Sequence, residues 1–185
     1  MTDRVVALAR FSPDEQVWRV DVLHLLVSSA HAYEGRPADG PRDVETVDRP
    51  AVEVVAGAGI AGDRYFARRA HANAAVTLLA ATGLAEVASA LGLDEPLDPM
   101  LARRNVVLGG ISAAQVAALR GLDFELGGLR FRAGRPAAPC TWMDVVYAPG
   151  AARAMRGRGG LRCAVLSSGT LRRGPTELRV VPPVA

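Results

Sequence analysis

The sequence predicts a mainly β protein, a barrel of short strands with a few helical insertions. Three observations carry this expectation. Short Val- and Leu-rich runs recur along the chain, divided by Gly-containing turns. Only one segment, Ala81 to Leu91, has a convincing helical spacing of apolar residues. Gly127-Gly128 separates two alternating runs, as the turn of a β-hairpin does.

The elements follow in chain order. Arg4 to Ala9 reads as a strand, and Val17 to Val27 as a longer one. Residues 31–50 contain Gly35, Pro37, Gly40, Pro41 and Pro50, so they read as loop or short irregular strand. Ala51 to Val55 is a strand that runs into the glycine-rich turn 57–62. Ala75 to Leu79 is another. Leu84, Val87, Ala88 and Leu91 give the helix an apolar face, and Gly92 stops it. Asn105 to Leu108 is a short strand. Ser112 to Leu119 is a short helix with Ser112 as its N-cap. Phe124 to Leu126 and Leu129 to Arg132 form the hairpin. Ala151 to Arg156 suits a helical turn. Leu161 to Leu166, Thr170 to Arg172 and Glu177 to Val181 are strands. With 185 residues and no repeat or low-complexity linker, one domain spanning residues 1–185 is expected.

Composition excludes several functions. All 22 basic residues are arginine. Without lysine there is no Schiff base, so covalent pyridoxal-phosphate chemistry is excluded, and there is no Walker A loop. Aromatic residues are 5% of the chain, too few for base-stacking platforms. The net charge of +3 is unevenly spread. Residues 1–129 carry a net −5 and residues 130–185 a net +8, which reads as an anion-binding C-terminal third. A phosphorylated small molecule is favoured over nucleic acid as the partner. No apolar run approaches the roughly 20 residues of a membrane span, and no signal peptide opens the sequence. The expected location is the cytoplasm, with Cys140 and Cys163 reduced. Three histidines and two distant cysteines lack zinc spacing.

Two decoys can be set aside. Gly57-Ala58-Gly59-Ile60-Ala61-Gly62 matches a dinucleotide fingerprint, but no apolar-faced helix follows it and no acid stands where the ribose would need one. A flexible turn between barrel strands is the expectation. Ser28, Ser29, His31 and Asp43 could supply a catalytic triad, yet no nucleophile-elbow sequence accompanies them.

Four other segments carry chemistry. Gly62-Asp63-Arg64-Tyr65 sets a charged pair directly after a glycine turn. Arg103-Arg104-Asn105 places two guanidiniums and an amide at the start of a strand, suited to phosphate or a polar heterocycle. Pro139-Cys140 puts a thiol in a proline-stiffened loop near Arg132 and Arg135, which would favour the thiolate. Cys140 is thus a candidate nucleophile or soft-metal ligand, whereas Cys163, before Ala164-Val165-Leu166, suits a core strand. Arg156-Gly157-Arg158-Gly159-Gly160 could form an anion-binding nest or simply a tight turn.

In this order these segments resemble the MOSC domain, named for the C-terminal domain of molybdenum cofactor sulfurase. His31-Ala32-Tyr33-Glu34-Gly35-Arg36-Pro37 is similar to the early segment of stand-alone members, and the resemblance runs over about residues 20–180. It implies a MOSC-like β-barrel. It implies that Cys140 matches the cysteine that ligates molybdenum of a pterin cofactor in reductase members. By the same resemblance Arg103 and Asn105 match an Arg-x-Asn pair beside the cofactor, and Asp63 falls near the metal. Arg36, Arg64, Arg104 and Arg158 would complete an arginine-rich, lysine-free surround for its anionic groups.

The implied activity is reduction of an N-oxygenated small molecule, with electrons from a separate reductase. The alternative is a persulfide sulfur carrier fed by a desulfurase, with Cys140 bearing the sulfur. A third reading is a nonenzymatic module that binds RNA or an acidic protein. The sequence departs from the reductases in two respects. Only about 20 residues precede the match, where reductases have a further domain. Thr141-Trp142-Met143 also replaces a second cysteine found in some members.

Overall fold

The structure is a computed structural model that describes residues 16–183. The strand expected over Arg4–Ala9 lies outside the described residues.

Seven strands close into a barrel in the order β11-β7-β8-β9-β5-β6-β1, with β1 pairing back onto β11. They are β1 (Val17–Val27), β5 (Val76–Ala80), β6 (Val106–Gly109), β7 (Asp123–Leu126), β8 (Leu129–Pro136), β9 (Leu161–Val165) and β11 (Gly174–Val181). Closure leaves the barrel without an unpaired edge. Two irregularities of register bend the wall, one between Val22 and His24 of β1 and one between Ala133 and Pro136 of β8. The expected mainly β barrel is thus observed.

A three-stranded sheet stands beside the barrel: β10 (Gly169–Arg172), β3 (Ala51–Val55) and β4 (Gly59–Ile60). It packs Val52, Val54, Ile60 and Leu171 into the same core as the barrel interior. The stretch 57–62, expected as a turn between barrel strands, instead contains β4 and belongs to this small sheet. The two-residue β2 (Val47–Asp48) pairs antiparallel with the end of β1.

Only β5 and β6 run parallel. Their connection crosses the outside of the barrel and carries α1 (Ala81–Ala90) and α2 (Pro99–Ala102). This explains the unbroken apolar run of β5, every residue of which is buried. Val76, Leu78, Val106 and Leu108 point into the barrel. Leu79 and Val107 point outward into a second core, made with Leu84, Val87, Trp142, Met143, Ala151 and Met155. A parallel pair buried on both faces has no solvent side to alternate with.

The helices are more numerous than the sequence suggests. α3 (Ala113–Ala118) starts with a reciprocal capping box. Ser112 Oγ accepts from the Gln115 amide at 3.1 Å, and Gln115 Oε1 accepts from the Ser112 amide at 2.8 Å. α4 (Trp142–Val146) and α5 (Ala151–Ala154) cover the second core. α2 and α4 escape sequence reading because 4 and 5 residues are too short to show a helical period. Among the described residues no helix is long and apolar enough to cross a membrane.

Gly160 marks where the last loop meets the barrel. Its φ is +84°, and a Cβ there would overlap the Leu78 carbonyl. Gly160→Ala should therefore destabilise the protein by about 2–4 kcal/mol, because neither the backbone conformation nor the space accepts a methyl. Urea unfolding of the variant checks this, and exposed Gly157, with open space around it, provides the mild comparison.

Candidate functional site

The site is built around a buried polar junction. Asp63, at the turn after β4, has a fully enclosed side chain. Its Oδ2 accepts from Asn105 Nδ2 (3.1 Å), the Ser28 amide (3.3 Å) and Arg64 Nη1 (3.2 Å), and its Oδ1 accepts from the Tyr65 amide (3.1 Å). Asn105, just before β6, is completely buried. Its Nδ2 also donates to Leu26 O, while its Oδ1 accepts from the amide and hydroxyl of Thr77. The junction ties the end of β1, the 62–65 turn, β5 and the start of β6. Both sequence-predicted residues thus spend their polar atoms inside the protein. They position the walls of the site and leave no free donor for a ligand.

The two neighbouring arginines point to opposite walls. Arg103 closes α2 with φ +53°, a left-handed conformation uncommon outside glycine. Its guanidinium donates to Ala30 O (2.8 Å), Val44 O (3.1 Å) and Thr46 Oγ1 (2.9 Å), and it lies 5.5 Å from the Tyr33 ring centroid. Burial lowers its pKa, and repulsion from Arg64 adds to this. Arg104 turns the other way, donating to Gly159 O (3.1 Å) and Ala137 O (3.0 Å). Burial first, then Arg162 and Arg64, lower its pKa to about 10, so it remains charged at neutral pH. Neither arginine has a carboxylate partner within its hydrogen bonds; both are held by neutral oxygens.

Cys140 is exposed in the loop between β8 and α4. Its carbonyl accepts from the Met143 amide at 2.9 Å, opening the turn into α4. Trp142 is buried and stacks on Tyr33 with centroids 5.6 Å apart, which anchors the loop against the 31–34 segment. Arg104 reaches the same loop through its bond to Ala137 O, three residues before the thiol. Arg132, expected from sequence to favour the thiolate, instead holds Asp123 through two hydrogen bonds of 2.6 and 3.0 Å. Alternation along β8 and its cross-strand pairing with Asp123 dictate that direction.

The other sequence-predicted residues divide. Arg64 belongs to the site, with one nitrogen on Asp63 and another on Arg103 O at 3.2 Å. Arg158 does not join it: its Nε donates to Glu86 of α1 at 2.7 Å and its Nη1 to Ala154 O. Arg36 is exposed and its side chain makes no hydrogen bond or ion pair. Loop 157–160 meets the site through the Gly159 carbonyl, an acceptor, so it does not present an anion nest there. Gly159 is required for that approach, since a Cβ would lie 2.6 Å from Ala137 O. Thr77 and Tyr33 also belong to the site; Thr77 is legible as the one polar residue in an apolar run, and Tyr33 only as part of the 31–37 segment. Among the described residues no group of three or more His, Cys, Asp or Glu could hold a metal ion.

The closed seven-stranded barrel thus carries an exposed thiol on a loop held by a buried arginine. Residues 62–176 match the MOSC domain, more than half of the chain, and the chain belongs to that family. YuaD of Bacillus subtilis shares the fold with a TM-score of 0.69 and 17% identity, covering 89% of this chain and 97% of its own. YiiM of Geobacillus stearothermophilus has a TM-score of 0.60 at 14% identity, over 88% and 75% of the two chains. YiiM of Escherichia coli has 0.58 at 18%, over 92% and 72%. No curated protein matches the sequence.

Two outcomes test the site. Asn105→Ala removes the centre of the junction and leaves Thr77, Leu26 and Asp63 groups unpaired, so stability should fall by about 3 kcal/mol or more, read by urea unfolding. A short treatment with an alkylating reagent at neutral pH should label Cys140 and spare Cys163. The latter lies 1% exposed in β9, and burial pushes its thiol up to about 12. Peptide mass mapping before and after unfolding checks the order.

Proposed function

We propose that the chain is a molybdenum-cofactor-dependent reductase of N-oxygenated small molecules, with Cys140 as the sulfur ligand of the metal. The observation that supports this best is an exposed thiol on the loop that Arg104, a buried cation bonded to no carboxylate, holds through Ala137 O. A thiolate is a soft donor, and an uncompensated guanidinium suits an anionic neighbour. On that chemistry the residues fit the group. When bound, the pterin-held metal would supply two-electron exchange of an oxygen atom.

The chain's own residues do the rest. Cys140 would hold the metal, and its loop is kept in place by the Trp142–Tyr33 stack. Arg104 would balance negative charge at the thiolate side and Arg103 at the Tyr33 side. Asp63 and Asn105 act through these neighbours, by fixing the 62–65 turn and the start of β6. Reduction of an N–O bond takes two electrons and two protons and releases amine and water. The electrons come from a partner reductase in this reading.

The exposure of Cys140 also supports the runner-up. In that reading Cys140 accepts a sulfane sulfur from a desulfurase persulfide, which leaves as its thiolate, and the protein carries the sulfur to cofactor assembly.

Metal analysis separates the two. Protein made in a cofactor-producing host should hold molybdenum at roughly one atom per chain, and Cys140→Ser should lose most of it while melting within a few degrees of the wild type. Absence of molybdenum together with a mass gain of one sulfur atom on Cys140 would favour the sulfur carrier. Equal molybdenum in wild type and Cys140→Ser would end the cysteine-centred reading.

A further inference from the structure

A cleft of about 490 Å³ opens between the 29–34 segment and the turn-rich segment 64–71. Cys140, Arg103 and Arg104 do not line it; of the residues expected around the cofactor only Arg64 does. Its charges are out of balance. Glu34 is held by Arg42 at 2.6 Å, and Arg64 is engaged by Asp63. Arg68 and Arg69 remain, with exposed side chains that make no hydrogen bond or ion pair. Two imidazoles, His31 and His71, also line it.

The imidazoles are held in place. His31 meets Tyr65 edge-on with centroids 5.2 Å apart, and His71 lies 4.6 Å from the same ring. His71 Nδ1 is enclosed and has no hydrogen-bond partner, the one such buried side-chain nitrogen or oxygen among the described residues. Buried polar atoms are nearly always satisfied, so the His71 ring is under-bonded in the free protein. The backbone is also constrained here. Ala67, directly before Arg68, has φ +55°. It and Arg103 are the two non-glycine residues with positive φ among those described, and such strain gathers at functional sites.

We propose that this cleft binds a doubly charged oxyanion, the phosphate monoester group of a small molecule, through Arg68, Arg69, His31 and His71. Two free guanidinium forks supply paired donors, and the two imidazoles supply N–H donors, His31 gaining a second when it is protonated. The inference stands apart from the metal reading at Cys140.

Binding is coupled to protons. Burial, then the nearby Arg64, keep His31 below the ordinary histidine value, so it is neutral at pH 7 in the free protein. The groups that face it are Arg64, Arg103, Glu34 and Asp63. Across the cleft stand Arg42, Arg68, Arg69, Tyr65 and His71. Both acids are already engaged, Glu34 by Arg42 and Asp63 by Arg64 and Asn105. A dianion would raise the His31 pKa and draw in a proton, so affinity increases as pH falls through the histidine range.

The test titrates sulfate, whose charge is constant over the range, into metal-free protein by calorimetry at two pH values about one unit either side of the histidine midpoint, at fixed low ionic strength. One saturable site is expected, tighter at the lower pH by roughly threefold or more. The Arg68→Ala/Arg69→Ala double variant should weaken binding about tenfold or more, and His31→Gln/His71→Gln should remove the pH dependence. Arg120→Ala, an exposed arginine elsewhere, should bind as the wild type does. Cys140→Ser should too, which separates this site from metal retention.

Should the double variants fail to fold, sulfate protection of Arg68 and Arg69 from an arginine-selective reagent in the wild type reads the same contact. Absence of saturable binding, equal affinity at both pH values, or full affinity in the arginine variant overturns the proposal.

Discussion

The Asp63–Asn105–Thr77 junction is the constraint on which the site depends. It stands where four chain segments meet, and each of its hydrogen bonds crosses between segments or closes a turn. Buried this deeply, a missing partner would expose a carboxylate or an amide to a low-dielectric surround with nothing to replace it. The junction therefore has essentially one arrangement. Arg64 follows Asp63 directly, and Arg103 and Arg104 precede Asn105 directly. Fixing the two central residues sets the starting points of three guanidiniums.

Those guanidiniums show why arginine is suited to this site. Arg103 spans three acceptors on one wall and Arg104 spans two on the other. A planar group with five donors can bond to carbonyls on both sides and still keep its charge, because its pKa has far to fall before neutral pH. An ammonium buried as Arg104 is would lie closer to losing its proton. Acceptance by neutral oxygens leaves both charges without a carboxylate bonded to them.

The second core performs a quieter task. By covering the outer faces of β5 and β6, it brings α4 and α5 against the barrel, with Trp142 and Met143 as anchors. Cys140 immediately precedes that anchored helix, so an exposed thiol sits at the edge of a rigid surface. Gly159 and Gly160 allow the last loop to close on the same side, where side chains would strike Ala137 and Leu78.

Much of this was written locally in the sequence. The strands, the Gly127-Gly128 hairpin, the helix from Ala81 and the Ser112 cap all follow from periodicities and turn residues that act over a few positions. The contrast between Cys140 in a proline-flanked loop and Cys163 in an apolar strand is local as well. The tertiary structure alone decided where the charged side chains point. Arg132 and Arg158 lie in the motif-bearing stretches yet pair with Asp123 and Glu86, because strand pairing and helix packing bring those acids within reach. Arg68, Arg69, His31 and His71 lie up to 40 residues apart in sequence and share a cleft because two loops fold over Tyr65. Local preference sets backbone shape within a few residues; long side chains take their direction from partners that only the closed barrel supplies.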